Sequence, residues 1–169
     1  TPPQGAEHRA VTVDIDGAVS LAERALALDP APSSTIGLLP EAAAIGAFNY
    51  AGRAQDAVEL CRRTIATADE RNQWGRAYML GNLALSAGLV GEMDAALEAA
   101  LNGMDLAERV GNPSLLAYTA FATATALAFA GDADAGAEYL TLARSIAETV
   151  HNTWILSMTS LSTNWGDIS

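Results

Sequence analysis

Polar and apolar residues along this chain fall into blocks of two kinds, and the two kinds take turns. Residues 74–88 are small and nearly uncharged, with Arg76 as their only ion. Residues 92–110 instead set apolar side chains every three or four positions against acids and an arginine, the period of an amphipathic helix. Leu89-Val90-Gly91 reads as a short break between them, and Gly111-Asn112-Pro113 ends the pair. That tripeptide combines a glycine stop, an asparagine N-cap and a proline at a first helical position. The charge-poor kind, A, returns at 40–51, 114–130 and 153–165. The amphipathic kind, B, returns at 14–29, 53–71 and 132–150. The order B-AB-AB-AB-A predicts eight helices.

Within the B blocks the period names the face to be buried. In 14–29 that face is Ala18, Leu21, Ala22, Ala25 and Leu28, with Asp29-Pro30 as the stop and residues 30–34 as a loop. In 53–71 it is Ala57, Leu60, Cys61, Ile65 and Ala68, leaving Glu59, Arg62, Arg63 and Asp69 outside. Residues 1–13 open with two prolines and a glycine among the first five and read as a tail or lead-in.

The blocks repeat in register. Gly52, Gly91 and Gly131 stand 39 and 40 residues apart. A shift of 40 relates Asp94 to Asp134, Glu98 to Glu138, Ala107 to Ala147, Asn112 to Asn152 and Tyr78 to Tyr118, and two such shifts relate Trp74 to Trp154. A two-helix unit with a period of about 40 residues belongs to helical solenoids, where no pair buries its apolar faces alone and stacked pairs share one core. The expected organisation is an array over 14–169, with units 40–71, 74–111 and 113–151 flanked by the half units 14–29 and 153–165. Half units at both ends read as a window cut from a longer array.

Leu80-Gly81-Asn82-Leu83-Ala84 followed by Gly88 resembles the first helix of a tetratricopeptide repeat, and Ala25-Leu26-Ala27-Leu28-Asp29-Pro30 resembles the end of its second. Asp105-Leu-Ala-Glu-Arg-Val-Gly-Asn-Pro113 is similar to the unit ending of the MalT-like subgroup, found in bacterial LuxR-type transcriptional regulators and signalling ATPases. The likeness runs from about Asp16 to Trp165. It departs from the pattern in the first unit, which lacks Leu-Gly-Asn, and at His151, which stands where Gly111 stands one unit earlier. The resemblance implies a right-handed α-α solenoid. It also implies a non-catalytic, regulatory protein-interaction segment of a larger regulator carrying a nucleotide-binding ATPase and a helix-turn-helix elsewhere. The alternative is a stand-alone scaffold or adaptor that binds a peptide, or self-associates as a homodimer, through its concave face.

Composition narrows the classes further. Half of the 169 residues are hydrophobic and 17% are charged, which excludes a disordered chain. The closest approach to a membrane span, residues 115–130, is diluted by threonines. Twenty acids against nine basic residues, all arginine, give a net charge of −11 and argue against gripping nucleic-acid phosphates or anionic lipid. One cysteine excludes an internal disulfide and fits a reducing cytoplasm. The lack of lysine and the abundance of alanine suggest a GC-rich bacterial origin.

Candidate chemistry is sparse. Asp14-Ile-Asp16-Gly17 matches the loop of haloacid-dehalogenase-type phosphatases, but that chemistry also needs a lysine and a preceding strand. An acidic helix start is the simpler reading. Cys61 aligns with Ala99 and Tyr139 on the buried side of B helices and reads as a packing residue. His8 and His151 have no ligand-like spacing, and no glycine run forms a phosphate loop. No cofactor or metal is expected, and no enzyme activity.

In tetratricopeptide arrays the A helices line the concave groove. The family's contact positions fall on Tyr78, Asn82, Leu85 and Ser86, then Tyr118, Ala122, Thr125 and Ala126, then Met158, Ser162 and Trp165. Such a wall is neutral and partly aromatic, and it lacks the basic clamp of the carboxylate-binding members. Its expected occupant is a protein or peptide, or another domain of the parent chain. The competing reading makes the same residues packed interior, because alanine-rich helices approach closely.

Overall fold

The computed structural model describes residues 14–28 and 39–162. The predicted tail 1–13, the loop after Leu28 and the residues beyond Ser162 lie outside the described residues. Eight α-helices are found there: α1 Ile15–Leu28, α2 Leu39–Tyr50, α3 Ala54–Thr67, α4 Gln73–Val90, α5 Met93–Val110, α6 Pro113–Phe129, α7 Ala133–Thr149 and α8 Thr153–Ser162. The odd-numbered helices are the amphipathic kind and the even-numbered ones the charge-poor kind.

Their ends follow from local chemistry. Asn72, Asn112, Asp132 and Asn152 each turn a side-chain oxygen to the backbone N–H three residues on, at 2.9, 3.0, 3.1 and 3.2 Å. These caps satisfy donors that a helix start leaves orphaned. Gly91 and Gly111 close α4 and α5 in the left-handed conformation, at φ 84° and 69°. His151 occupies the corresponding place after α7 at φ 55°, the one non-glycine residue with positive φ among those described.

Two boundaries differ from the sequence reading. Helix α4 runs through Gly88, Leu89 and Val90, so the break is Gly91 and the N-cap residue Glu92. Helix α3 stops at Thr67, a turn before Arg71, with Ala68 extended at ψ 141°. The Asp69 carboxylate accepts the Arg71 N–H at 2.8 Å, holding a turn where helix was expected. Arg76 donates from Nη1 to the Ile65 carbonyl at 3.0 Å and so covers the exposed end of α3. The only basic residue of the described A helices is thereby explained as a helix-end partner.

Every helix packs on its neighbour in sequence, and the A helices also pack on one another, α2 on α4, α4 on α6 and α6 on α8. No two B helices meet this way among the described residues. They are linked by exposed ion pairs instead, Arg53 with Glu23 at 2.8 Å between α3 and α1, and Arg62 with Glu92 at the start of α5. Such pairs contribute under about 1 kcal/mol each. Burial divides the layers accordingly: ten residues of α6 are buried and three of α7. No described helix is long and apolar enough to cross a membrane.

The first B helix departs from its predicted face. Ala22 is buried, with Val19 and Leu26 packed beside it, but Ala18, Leu21 and Leu28 are exposed. Among the described residues helix α1 packs on α2 alone.

Candidate functional site

The contact surface of α4 with α6 explains the small residues of the A helices. A Cβ on Gly81 would lie 2.7 Å from Cε1 of Tyr118, and one on Gly88 would lie 2.5 Å from Cδ2 of Phe129. Glycine at these two positions, seven apart on one face, gives the aromatic rings of α6 their seats. The Leu80-Gly81-Asn82 stretch is therefore a packing device in this chain.

From that seat an aromatic strip crosses the A layer. Trp74 stacks on Tyr78 with ring centroids 5.3 Å apart, Tyr78 meets Tyr118 at 4.7 Å, and Tyr118 meets Trp154 at 5.8 Å. Three helices contribute, because the 40-residue register brings positions 78 and 118 side by side and leaves the tryptophans outside them. Each such pair contributes about 0.5–1.5 kcal/mol beyond area burial. The strip is buried at its centre and open at its ends: Tyr118 is 4% exposed, Trp74 36% and Trp154 54%. The Trp ends were not among the candidate contact positions. Their spacing of two periods was the signal that could have added them.

The candidate groove residues divide by burial. Tyr118, Ala122, Ala126, Ser86 and Asn82 are buried, whereas Tyr78, Leu85, Thr125 and Met158 are half-buried. Ser162 is the last residue of α8, and Trp165 lies outside the described residues. The polar members are engaged internally. Asn82 donates from Nδ2 to the Tyr78 carbonyl at 2.9 Å, Ser86 Oγ accepts from Asn49 Nδ2 at 3.0 Å, and Thr125 Oγ1 donates to the Phe121 carbonyl at 2.9 Å. Ser86 thus ties α2 to α4. Oδ1 of Asn49 is buried without a partner, the only such side-chain atom among the described residues.

Electrostatics here favour neutral groups. Burial pushes the Cys61 thiol up to about 12, with Ser86 as a hydrogen-bond partner that offsets part of the rise. A thiol held protonated cannot serve as a nucleophile near neutral pH. Burial likewise raises Tyr118 well above its ordinary value, with Tyr78 and Cys61 adding to the shift. Burial also raises Tyr78, against a bond from Asn82. The phosphatase-like Asp14 accepts the Gly17 N–H at 2.8 Å, the geometry of an N-cap.

One cleft of about 410 Å³ opens elsewhere, where α3 stops short of α4. Ile65, Leu80 and Leu83 form its apolar part, with Arg62, Arg76 and Glu70 around it, and none of the candidate groove residues lines it. Among the described residues no three metal-ligating side chains converge. Comparison with protein-family models and with curated proteins finds no match to this chain.

Proposed function

We propose that this chain is a tetratricopeptide-like interaction segment of a larger bacterial regulator, of the MalT-like kind, and that it works by binding protein rather than by catalysis. The observation that carries the proposal is the aromatic strip, built at the repeat period across three A helices and open at both tryptophan ends. Aromatic side chains supply large contact area at little entropic cost, and they are enriched in protein interfaces. Among the described residues the A helices carry two charged side chains, Glu41, which is buried, and Arg76, which is half-buried and turned to the Ile65 carbonyl. In this reading the B layer is the acidic, solvated outside, and the partner or a neighbouring domain meets the Trp74 and Trp154 ends of the strip. The array then biases the parent between two states by preferring one of them.

The parent reading frame tests the proposal. A Gly-x-x-x-x-Gly-Lys-Ser/Thr loop upstream and a helix-turn-helix downstream are expected. A start codon directly before Thr1 with a stop directly after Ser169 would overturn the regulator reading. Within the parent, Trp74→Ala with Trp154→Ala is expected to weaken the regulated response at least about tenfold, the loss of roughly 1.4 kcal/mol at an aromatic contact. An unchanged response would remove the strip from the account.

A further inference from the structure

The cleft between the end of α3 and α4 carries charge that the stacking of helices does not call for. The repeat register gives the comparison. Arg76 corresponds to Leu116 in α6 and to Leu156 in α8, and both leucines pack against buried clusters. Arg62 corresponds to Leu101 in α5 and to Thr141 in α7. Neither position needs a cation in the units that follow. At position 76 a half-buried guanidinium takes a desolvation cost that leucine escapes.

The charges around the cleft are unevenly spent. Arg76 meets no carboxylate among the described residues, although the chain carries twenty acids. Its bond to the Ile65 carbonyl uses Nη1 and leaves the other N–H donors of the fork. Glu70, exposed in the turn after α3, has no cationic partner among the described residues either. Arg62 also borders the cleft and is held by Glu92 at the start of α5. Ile65, Leu80 and Leu83 make a half-buried aliphatic floor that continues into the core. One open cation and one open anion thus stand over an apolar surface. The volume of about 410 Å³ lies near the small end of the roughly 300–1,000 Å³ of ligand pockets, which suits a small metabolite better than a length of peptide.

We infer that this cleft binds a free aliphatic α-amino acid, of the leucine class. The ligand's carboxylate takes the unspent donors of Arg76 in a charge-assisted bond. Its ammonium meets Glu70, and its side chain lies on Ile65, Leu80 and Leu83. Both charges on one small body are what this ligand has and a fatty acid or inorganic anion lacks. For a plain anion Glu70 is a repulsion. None of the strip's aromatic rings lines the cleft, so the inference is independent of what the strip binds.

Isothermal titration calorimetry of the chain with three probes tests it: L-leucine, isocaproate, which is leucine without its amine, and isoamylamine, which is leucine without its carboxylate. L-leucine is expected to bind with a Kd of about 0.1–1 mM, and each stripped probe at least about tenfold more weakly. Glu70→Gln, a change at an exposed residue, should weaken leucine about tenfold and abolish its advantage over isocaproate. Arg76→Gln should weaken leucine by at least as much. Arg76→Lys accompanies it, because lysine keeps a donor for the end of α3 but not the fork, and it should also lower the affinity. No binding of L-leucine at about 10 mM overturns the inference. So does isocaproate binding as tightly as leucine, or leucine affinity that Glu70→Gln leaves unchanged.

Discussion

Helices α6 and α7 are equal in length, 17 residues each, and almost equal in alanine-rich character, yet they live differently in this molecule. Helix α6 has neighbours on four helices and buries ten residues, among them Thr119 and Thr123, whose hydroxyls return to the helix's own carbonyls at 3.2 and 2.9 Å. Among the described residues helix α7 packs only on α6 and α8, and it keeps an ion pair, Arg144 with Glu148, in solvent. The difference teaches that charge, more than hydrophobicity, sorts the two layers. A helix needs few charges to be excluded from a position with neighbours on all sides, because an unpaired buried charge costs several kcal/mol. The described A helices keep only Glu41 and Arg76, and the B helices carry the rest of their charge on one face.

The contrast can be broken most severely at its centre. Tyr118→Ala removes the buried ring shared by α4, α6 and α8 and is expected to destabilise the chain by ~3–5 kcal/mol, read from the urea unfolding midpoint. A change below about 1 kcal/mol would show that the strip is surface decoration. Gly81→Ala asks the same of the seat: its Cβ would overlap the Tyr118 ring, and a loss of about 1–3 kcal/mol is expected. Combining it with Tyr118→Ala should cost less than the sum, since the overlap vanishes with the ring.

At the outer layer the effects shrink and one changes sign. His151→Gly should stabilise by roughly 0.5–1 kcal/mol, because glycine accepts the positive φ that histidine holds at a cost, as Gly111 does one unit earlier. Destabilisation on thermal melting would mean that the imidazole makes a contact outweighing the backbone gain. Asp105→Ala, which breaks the exposed pair with Arg109 at 2.8 Å, should shift stability by less than about 0.5 kcal/mol and less still in high salt.

How much of this was legible in the sequence depended on whether neighbours were needed to decide. The assignment of blocks to two kinds followed from charge alone, and Asn112 with Pro113 announced the start of α6 directly. Cys61 was placed in the core by the apolar period of its own helix, beside Ala57 and Leu60, and it is fully buried. The end of α3 was not legible, since Asp69-Glu70-Arg71 has helical propensity. What stops the helix is a side-chain turn at Asp69 and a guanidinium arriving from α4. The face of α1 was misjudged for a related reason: periodicity draws two adjoining stripes, and among the described residues it is the packing of α2 that decides which one is covered. Among the candidate contact residues, the register placed Tyr118 one unit after Tyr78, and the two rings meet at 4.7 Å. That Asn82 and Ser86 spend their polar atoms on Tyr78 and Asn49 was beyond any pattern in the chain.

Amide hydrogen exchange, resolved by residue, tests the layered account most directly. The slowest amides should lie in α4 and α6, the middle rates in α3, α5 and α7, and the fastest in α1 and α8, which bury the fewest of the described residues. Protection in α7 equal to or above that in α6 would contradict it, because the charge-poor layer could not then be what holds the helices together.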